Sequence, residues 1–224
     1  MATLAIAACT VQQDLGSRAF PVIGAEGGEG GDPGDGGVTP GTDGDVPARV
    51  DTGRDHRIVF VTVNLYLGDL RTEGGAATGL EGADKICNRE AASAGIAGVF
   101  RAWLSTSTVA AKDRIAPVGP WKLVDGTTIF PGAAVAGAPQ RYIQLDANGK
   151  RIFASNDPQV WTATGFDGLL LKGDTACADW TSAATSASSG VGSTVGSGGD
   201  WTDYGIGGTK VFCSARARLF CFEQ

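Results

Sequence analysis

Gly79–Ser105, GLEGADKICNREAASAGIAGVFRAWLS, holds a helix, its stop signal and a buried strand around a single cysteine. Leu80, Ala83, Cys87, Ala91 and Ala94 recur at steps of three and four. That spacing lines one helical face with small apolar groups and is expected to turn Arg89 and Glu90 away from it. Gly95 supplies a left-handed stop. Val99, Phe100, Ala102, Trp103 and Leu104 then form an apolar run too short for a helix, so a buried strand is expected there, with Cys87 on the inward side of the preceding helix.

Working outward, Arg57–Leu67 (RIVFVTVNLYL) is apolar on both faces and rich in branched and aromatic residues, as a central strand would be. Leu219–Phe222 has the same character at the far end. Asn148-Gly149 sits between strand-like flanks in Tyr142–Ile152, a strong hairpin signal. Asp167-Gly168 reads as another hairpin tip, and a short helix is expected near Val109–Ile115. Thr181–Gly199, nearly all Ser, Thr, Ala and Gly, is expected to be a long irregular loop. Residues 55–224 read as one domain, large enough to bury a sizeable core.

Gly79–Ser105, together with Asp146–Trp161 (DANGKRIFASNDPQVW), Asp174–Trp180 (DTACADW) and Cys213–Glu223 (CSARARLFCFE), resembles the endostatin domain of collagens XV and XVIII and the bacterial domains related to it. The resemblance runs from about Arg57 to the last residue. It implies an α+β, C-type-lectin-like fold with mixed, mainly antiparallel sheets, one or two helices and long loops, whose first and last strands pair. The chain has five cysteines, four of them inside the domain. Four cysteines allow three pairings, and spacing does not choose among them. The resemblance implies the nested pairing, Cys87 with Cys221 around Cys177 with Cys213. Closed loops of that size would stabilise the fold by about 4 to 5 kcal/mol each in the chain-entropy account, and such bridges imply an oxidising compartment.

Ile6-Ala7-Ala8-Cys9 resembles the lipobox of bacterial lipoproteins, with Cys9 as the residue to be lipidated. Met1–Ala8 carries no basic residue and only a short apolar run, so the export signal is expected to begin upstream. Residues 1–9 are thus read as a truncated signal, and the expected destination is the outer membrane or cell surface, held through the lipid alone. No segment approaches the 18 or so apolar residues of a membrane-spanning helix.

Residues 10–54 read as a disordered Gly/Asp-rich tether. Gly24–Pro47 alone contains ten glycines, four aspartates and two glutamates, with no Lys or Arg. Those six carboxylates equal the whole formal charge of −6, leaving 18 acidic against 18 basic residues elsewhere. A neutral domain offers no footing for nucleic acid or polyanions. A Gly-rich coil of this length reaches about 35 to 40 Å.

Catalytic chemistry finds little support. His56 is the only histidine and has no nucleophile near it in sequence, so a Ser-His-Asp or Cys-His arrangement is not expected, nor is the histidine-clustered zinc site of some endostatins. Gly205–Lys210 lacks the spacing of a phosphate-binding loop. Asn156, Asp157, Asp167, Asp174, Asp179, Asp200 and Asp203 could offer oxygen ligands to calcium, but the ligand motifs of calcium-dependent lectins are missing. The reading is no cofactor, with calcium as the alternative. An enzyme would need a carboxylate pair such as Asp174 with Asp179.

Trp201-Thr202-Asp203-Tyr204 is the one loop segment offering aromatics beside a carboxylate, so Trp201, Asp203 and Tyr204 are the expected ligand-binding residues, with Tyr66 as a second candidate. Trp103, Trp161 and Trp180 are expected in the core. The function expected from these features is a surface-displayed, non-catalytic binding or adhesion domain for a glycan or extracellular protein. The alternative is a structural envelope protein without a specific ligand.

Overall fold

The computed structural model describes residues 53–154, 158–205 and 209–224. Cys9 and nearly all of the tether lie outside the described residues, as do Asn156, Asp157 and Ile206–Gly208.

The domain is α+β, built on a five-stranded sheet and a three-stranded one. The larger sheet takes β1 (Arg57–Val61), β2 (Phe100–Ala102), β3 (Trp121–Lys122), β4 (Thr128–Phe130) and β8 (Phe220–Glu223), in the order β2-β8-β1-β3-β4. First and last strands are antiparallel neighbours, with Phe60 opposite Cys221, while β1 and β3 run parallel. Both faces of this sheet are buried. Ile58, Phe60, Phe100, Ala102 and Cys221 point into one apolar cluster, and Val59, Val61, Phe220 and Phe222 into another. The period of two explains why β1 is apolar from Ile58 through Val61.

Helix α2 (Gly79–Ser93) covers the first cluster with Ala83, Cys87 and Ala91. Thr78 and Glu81 close a capping box at its start, and Gly95 follows its end at φ 73°. The expectation for Glu90 is overturned. It is 7% exposed, and its carboxylate accepts from Val63 N (2.6 Å), Asn64 N and Nδ2 (3.2 Å each) and Tyr66 Oη (2.7 Å). It stands three residues beyond Cys87 and so shares the inward face. These bonds also explain why the regular strand does not run on to Leu67: beyond Thr62, the Val63 and Asn64 amides turn to a carboxylate, not to a strand. Tyr66 is consequently a core residue, 5% exposed.

The disulfides are nested. Cys87–Cys221 ties α2 to β8, and Cys177–Cys213 ties the turn α4 (Ala176–Trp180) to the residue after β7 (Lys210–Phe212). Such bridges belong to an oxidising, extracytoplasmic environment. No helix among the described residues is long and apolar enough to cross a membrane.

The second sheet corrects the reading of Thr181–Gly199 as irregular. Its central strand, β6 (Ser188–Ser193), lies inside that stretch, between β5 (Gln159–Trp161) and β7. Glycine is a poor strand former, but here its lack of a side chain lets other groups approach. A Cβ on Gly190 would overlap the Leu171 side chain, and one on Gly192 would overlap the Trp201 carbonyl. Ser189 Oγ and Gly190 N also donate to the buried Asp174 carboxylate, at 3.0 and 2.8 Å.

The turn α4 is wound left-handed. Five successive non-glycine residues, Ala176–Trp180, have φ between 46° and 65°, and the three central ones have ψ between 42° and 54°. L-residues resist this geometry by about 1 to 2 kcal/mol each, so the surroundings must hold the turn in place.

Candidate functional site

The site is a cleft of about 420 Å³ formed by three segments over an aromatic floor. One wall is the short helix α3 (Ala111–Arg114), which contributes the exposed Lys112 and Asp113. A second is the hairpin tip Phe166–Gly168, and a third the loop Ala134–Gly137. Trp103 and Trp201 lie at the bottom.

The hairpin forms where Asp167-Gly168 marked it. Thr164 bridges Leu170, Gly165 N donates to Leu169 O at 2.8 Å, and Asp167 Oδ1 accepts from Leu169 N at 3.0 Å. Gly168 has φ 79°, and Lys112 Cβ would stand 2.7 Å from any Cβ added there. Only glycine lets the tip lie against α3, where Lys112 N donates to Gly168 O at 3.2 Å. Phe166, next to that tip, is 51% exposed on the rim of the cleft.

Helix α3 is too short to hold its own position. Ser105 Oγ accepts from Ala111 N at 3.0 Å and pairs with Thr164 Oγ1 at 2.9 Å. Ser105 O accepts from Trp180 Nε1 at 2.9 Å, and Asp179 takes Ser107 N and Oγ at 2.7 and 2.6 Å. The left-handed turn therefore anchors the segment that leads into the cleft wall. Below it, Trp103 Nε1 donates to Thr202 Oγ1 (2.8 Å), which donates in turn to Thr164 O (3.0 Å). The polar groups of the floor are thus bonded among themselves.

Trp201 does not display the aromatic face expected of it. It is 2% exposed, packed against Trp103 (5.1 Å between rings), Phe130 (5.4 Å) and Phe220 (5.9 Å), with Nε1 donating to Gly137 O at 3.2 Å. A ring this large is drawn into the core under the close approach of β6 at Gly192. Asp203 is half-buried and engaged, and Tyr204 is 44% exposed, but neither lines the cleft. The exposed aromatic of the site is Phe166, which sequence reasoning missed. Its signal was its place at the turn that Asp167-Gly168 announces.

The carboxylates offered for calcium or catalysis are dispersed. Asp174 is buried and bonded to Ala176 N (2.7 Å), Ser189 Oγ and Gly190 N, with Lys210 Nζ at 3.5 Å. Asp179 is turned to Ser107, and Asp200 Oδ1 to Gly205 N at 3.1 Å. Asp174 and Asp179 are each taken up by their own donors instead of forming a poised pair. Among the described residues no group of three or more His, Cys, Asp or Glu could hold a metal ion. His56 Nδ1 lies 2.7 Å from Asp55 Oδ1, and that hydrogen bond, followed by the nearby Lys122 charge, holds the Asp55 carboxyl below its ordinary value.

No family model matches this chain, and no characterised protein matches it in sequence.

Proposed function

We propose that the chain is a surface-displayed lipoprotein whose domain has an endostatin-like, C-type-lectin-like fold and binds an extracellular glycan or protein without catalysing a reaction. The observation that carries this reading is Phe166, a half-exposed aromatic lining a cleft whose adjoining wall presents Lys112 and Asp113. An apolar surface beside a few charged groups is the usual composition of a recognition site. The segments that form it are loops and short elements on a scaffold closed by two disulfides, where binding residues are commonly carried. A lipid on Cys9 and a tether over residues 10–54 would hold the domain clear of the membrane surface and let it reach a ligand. The first and last strands pair, as the resemblance implies.

A glycan and matrix-protein array probed with the full chain and with Phe166→Ala tests the proposal. Saturable binding that the substitution abolishes supports recognition through the cleft. Binding retained by the variant moves the site elsewhere, and the absence of any binding by the folded, disulfide-bonded protein favours a structural role in the envelope.

A further inference from the structure

We propose that Cys177–Cys213 is a thiol-exchange site whose opening loosens one wall of the cleft. The bridge ends on the left-handed turn Ala176–Trp180, a conformation that L-residues leave when they are free to do so. Besides hydrogen bonds within the turn, such as Asp179 N to Thr175 O and Ser182 N to Cys177 O, and the packing of Trp180 on Trp161, four ties hold it: the bridge itself, the Asp174 carboxylate accepting from Ala176 N, Asp179 accepting from Ser107, and the Trp180 indole donating to Ser105 O. Only the first is covalent. The last two also secure the loop that leads into α3, whose first amide rests on Ser105 Oγ. If the turn unwinds, Ser105 O loses Trp180 and Ser107 loses Asp179, and the Lys112–Asp113 wall is left on its remaining ties, Ala111 N to Ser105 Oγ, Lys112 N to Gly168 O and the Arg114–Asp84 pair.

The reagent is a dithiol. One of its thiolates attacks a sulfur of the pair, forming a mixed disulfide as the Cys177–Cys213 bond breaks, and the displaced thiolate takes up a proton. The second thiol of the reagent then attacks the mixed disulfide, leaving two cysteine thiols and the oxidised reagent, two electrons and two protons having passed to the protein. Cys177 and Cys213 are buried, so attack waits on local opening of the turn. The left-handed backbone eases that opening, because leaving it relieves strain. Cys87 and Cys221, also buried, sit in regular helix and strand with no such bias. The proposal concerns the wall of the cleft and is read without a ligand, so it stands or falls apart from the binding proposal.

The test uses the full chain carrying Cys9→Ser, so that the four domain cysteines are its only thiols. Limiting dithiothreitol under native conditions, followed by alkylation and mass mapping, should label Cys177 and Cys213 roughly tenfold sooner than Cys87 and Cys221, since local openings differ widely in free energy across one fold. In the selectively opened protein, hydrogen exchange over residues 105–114 should rise while β1 and β8 stay protected. Ala178→Gly, an exposed position at φ 55°, should slow the opening severalfold by removing backbone strain without removing a contact. The proposal is overturned by Cys87–Cys221 opening first or together with the other bridge. It is equally overturned by unchanged exchange over 105–114 after selective opening, or by an Ala178→Gly protein that opens as fast as its parent.

Discussion

Tyr66 Oη donates to Glu90 Oε1 at 2.7 Å, beside the two backbone amides that the same carboxylate takes from Val63 and Asn64. Burial, and then the Glu90 carboxylate, push the Tyr66 phenol from 10 up to about 12. In the unfolded chain it ionises near its ordinary value. The stabilisation tied to the protonated phenol is therefore complete below pH 10 and is lost as the pH rises through 12, where the folded protein also gives up the proton. Ultraviolet titration should show one of the three tyrosines ionising last, a phase absent from Tyr66→Phe. Three tyrosines titrating together would mean that the bond does not form.

Glu90 carries a second expectation. Glu90→Ala leaves the buried Tyr66 hydroxyl without its acceptor, while the Val63 and Asn64 amides, on exposed residues, can turn to water. An unsatisfied buried donor costs about 1 to 3 kcal/mol, so a loss of that size is expected in urea unfolding. Glu90→Gln keeps an acceptor oxygen and should lose distinctly less. Equal losses in the two variants would show that packing, not hydrogen bonding, is what Glu90 provides.

Trp201 and Phe166 should separate stability from binding. Trp201→Ala removes a ring packed among three other aromatics, and truncations of that size cost about 3 to 5 kcal/mol. Phe166→Ala acts on a half-exposed ring and should move the unfolding midpoint little, while abolishing any binding that the array detects. Thermal melts of both variants, read beside the array, decide the matter. A Phe166→Ala protein as unstable as Trp201→Ala would remove the basis for placing the site there.

Gly192→Ala tests the strand that composition concealed. The new methyl group would overlap the Trp201 carbonyl, and forcing β6 away from it should cost about 1 to 3 kcal/mol. The mirror control is Gly173→Ala, which meets open space and is limited to the penalty of a left-handed alanine. A Gly192→Ala protein as stable as its parent would show that the close approach of β6 is not needed.

How far the sequence could be read follows from what each signal measures. Periodicity located α2 and β2, and Asn148-Gly149 located a real turn, with Gly149 N donating to Asp146 O at 2.9 Å, because local chemistry decides those features. Ser188–Ser193 stayed hidden because its pairing is repaid by what packs onto its glycines, Leu171 and the Trp201 backbone, which lie at a distance along the chain. Glu90 was misplaced for a related reason. A carboxylate reads as solvated unless its donors are known, and here they come from the end of β1. Trp201 was chosen as a loop aromatic, while the exposed ring, Phe166, gave no mark beyond its neighbour Asp167-Gly168.

The strand order β2-β8-β1 bears on when the sheet can close in an extracytoplasmic compartment. Without Phe220–Glu223, neither β1 nor β2 has the neighbour it shares with the other, and Cys87 has no partner. A polypeptide threaded through an export channel amino end first delivers that strand after every other. Until it arrives the segments already delivered cannot close their sheet or the Cys87–Cys221 bridge, so assembly waits for the compartment where thiols are oxidised.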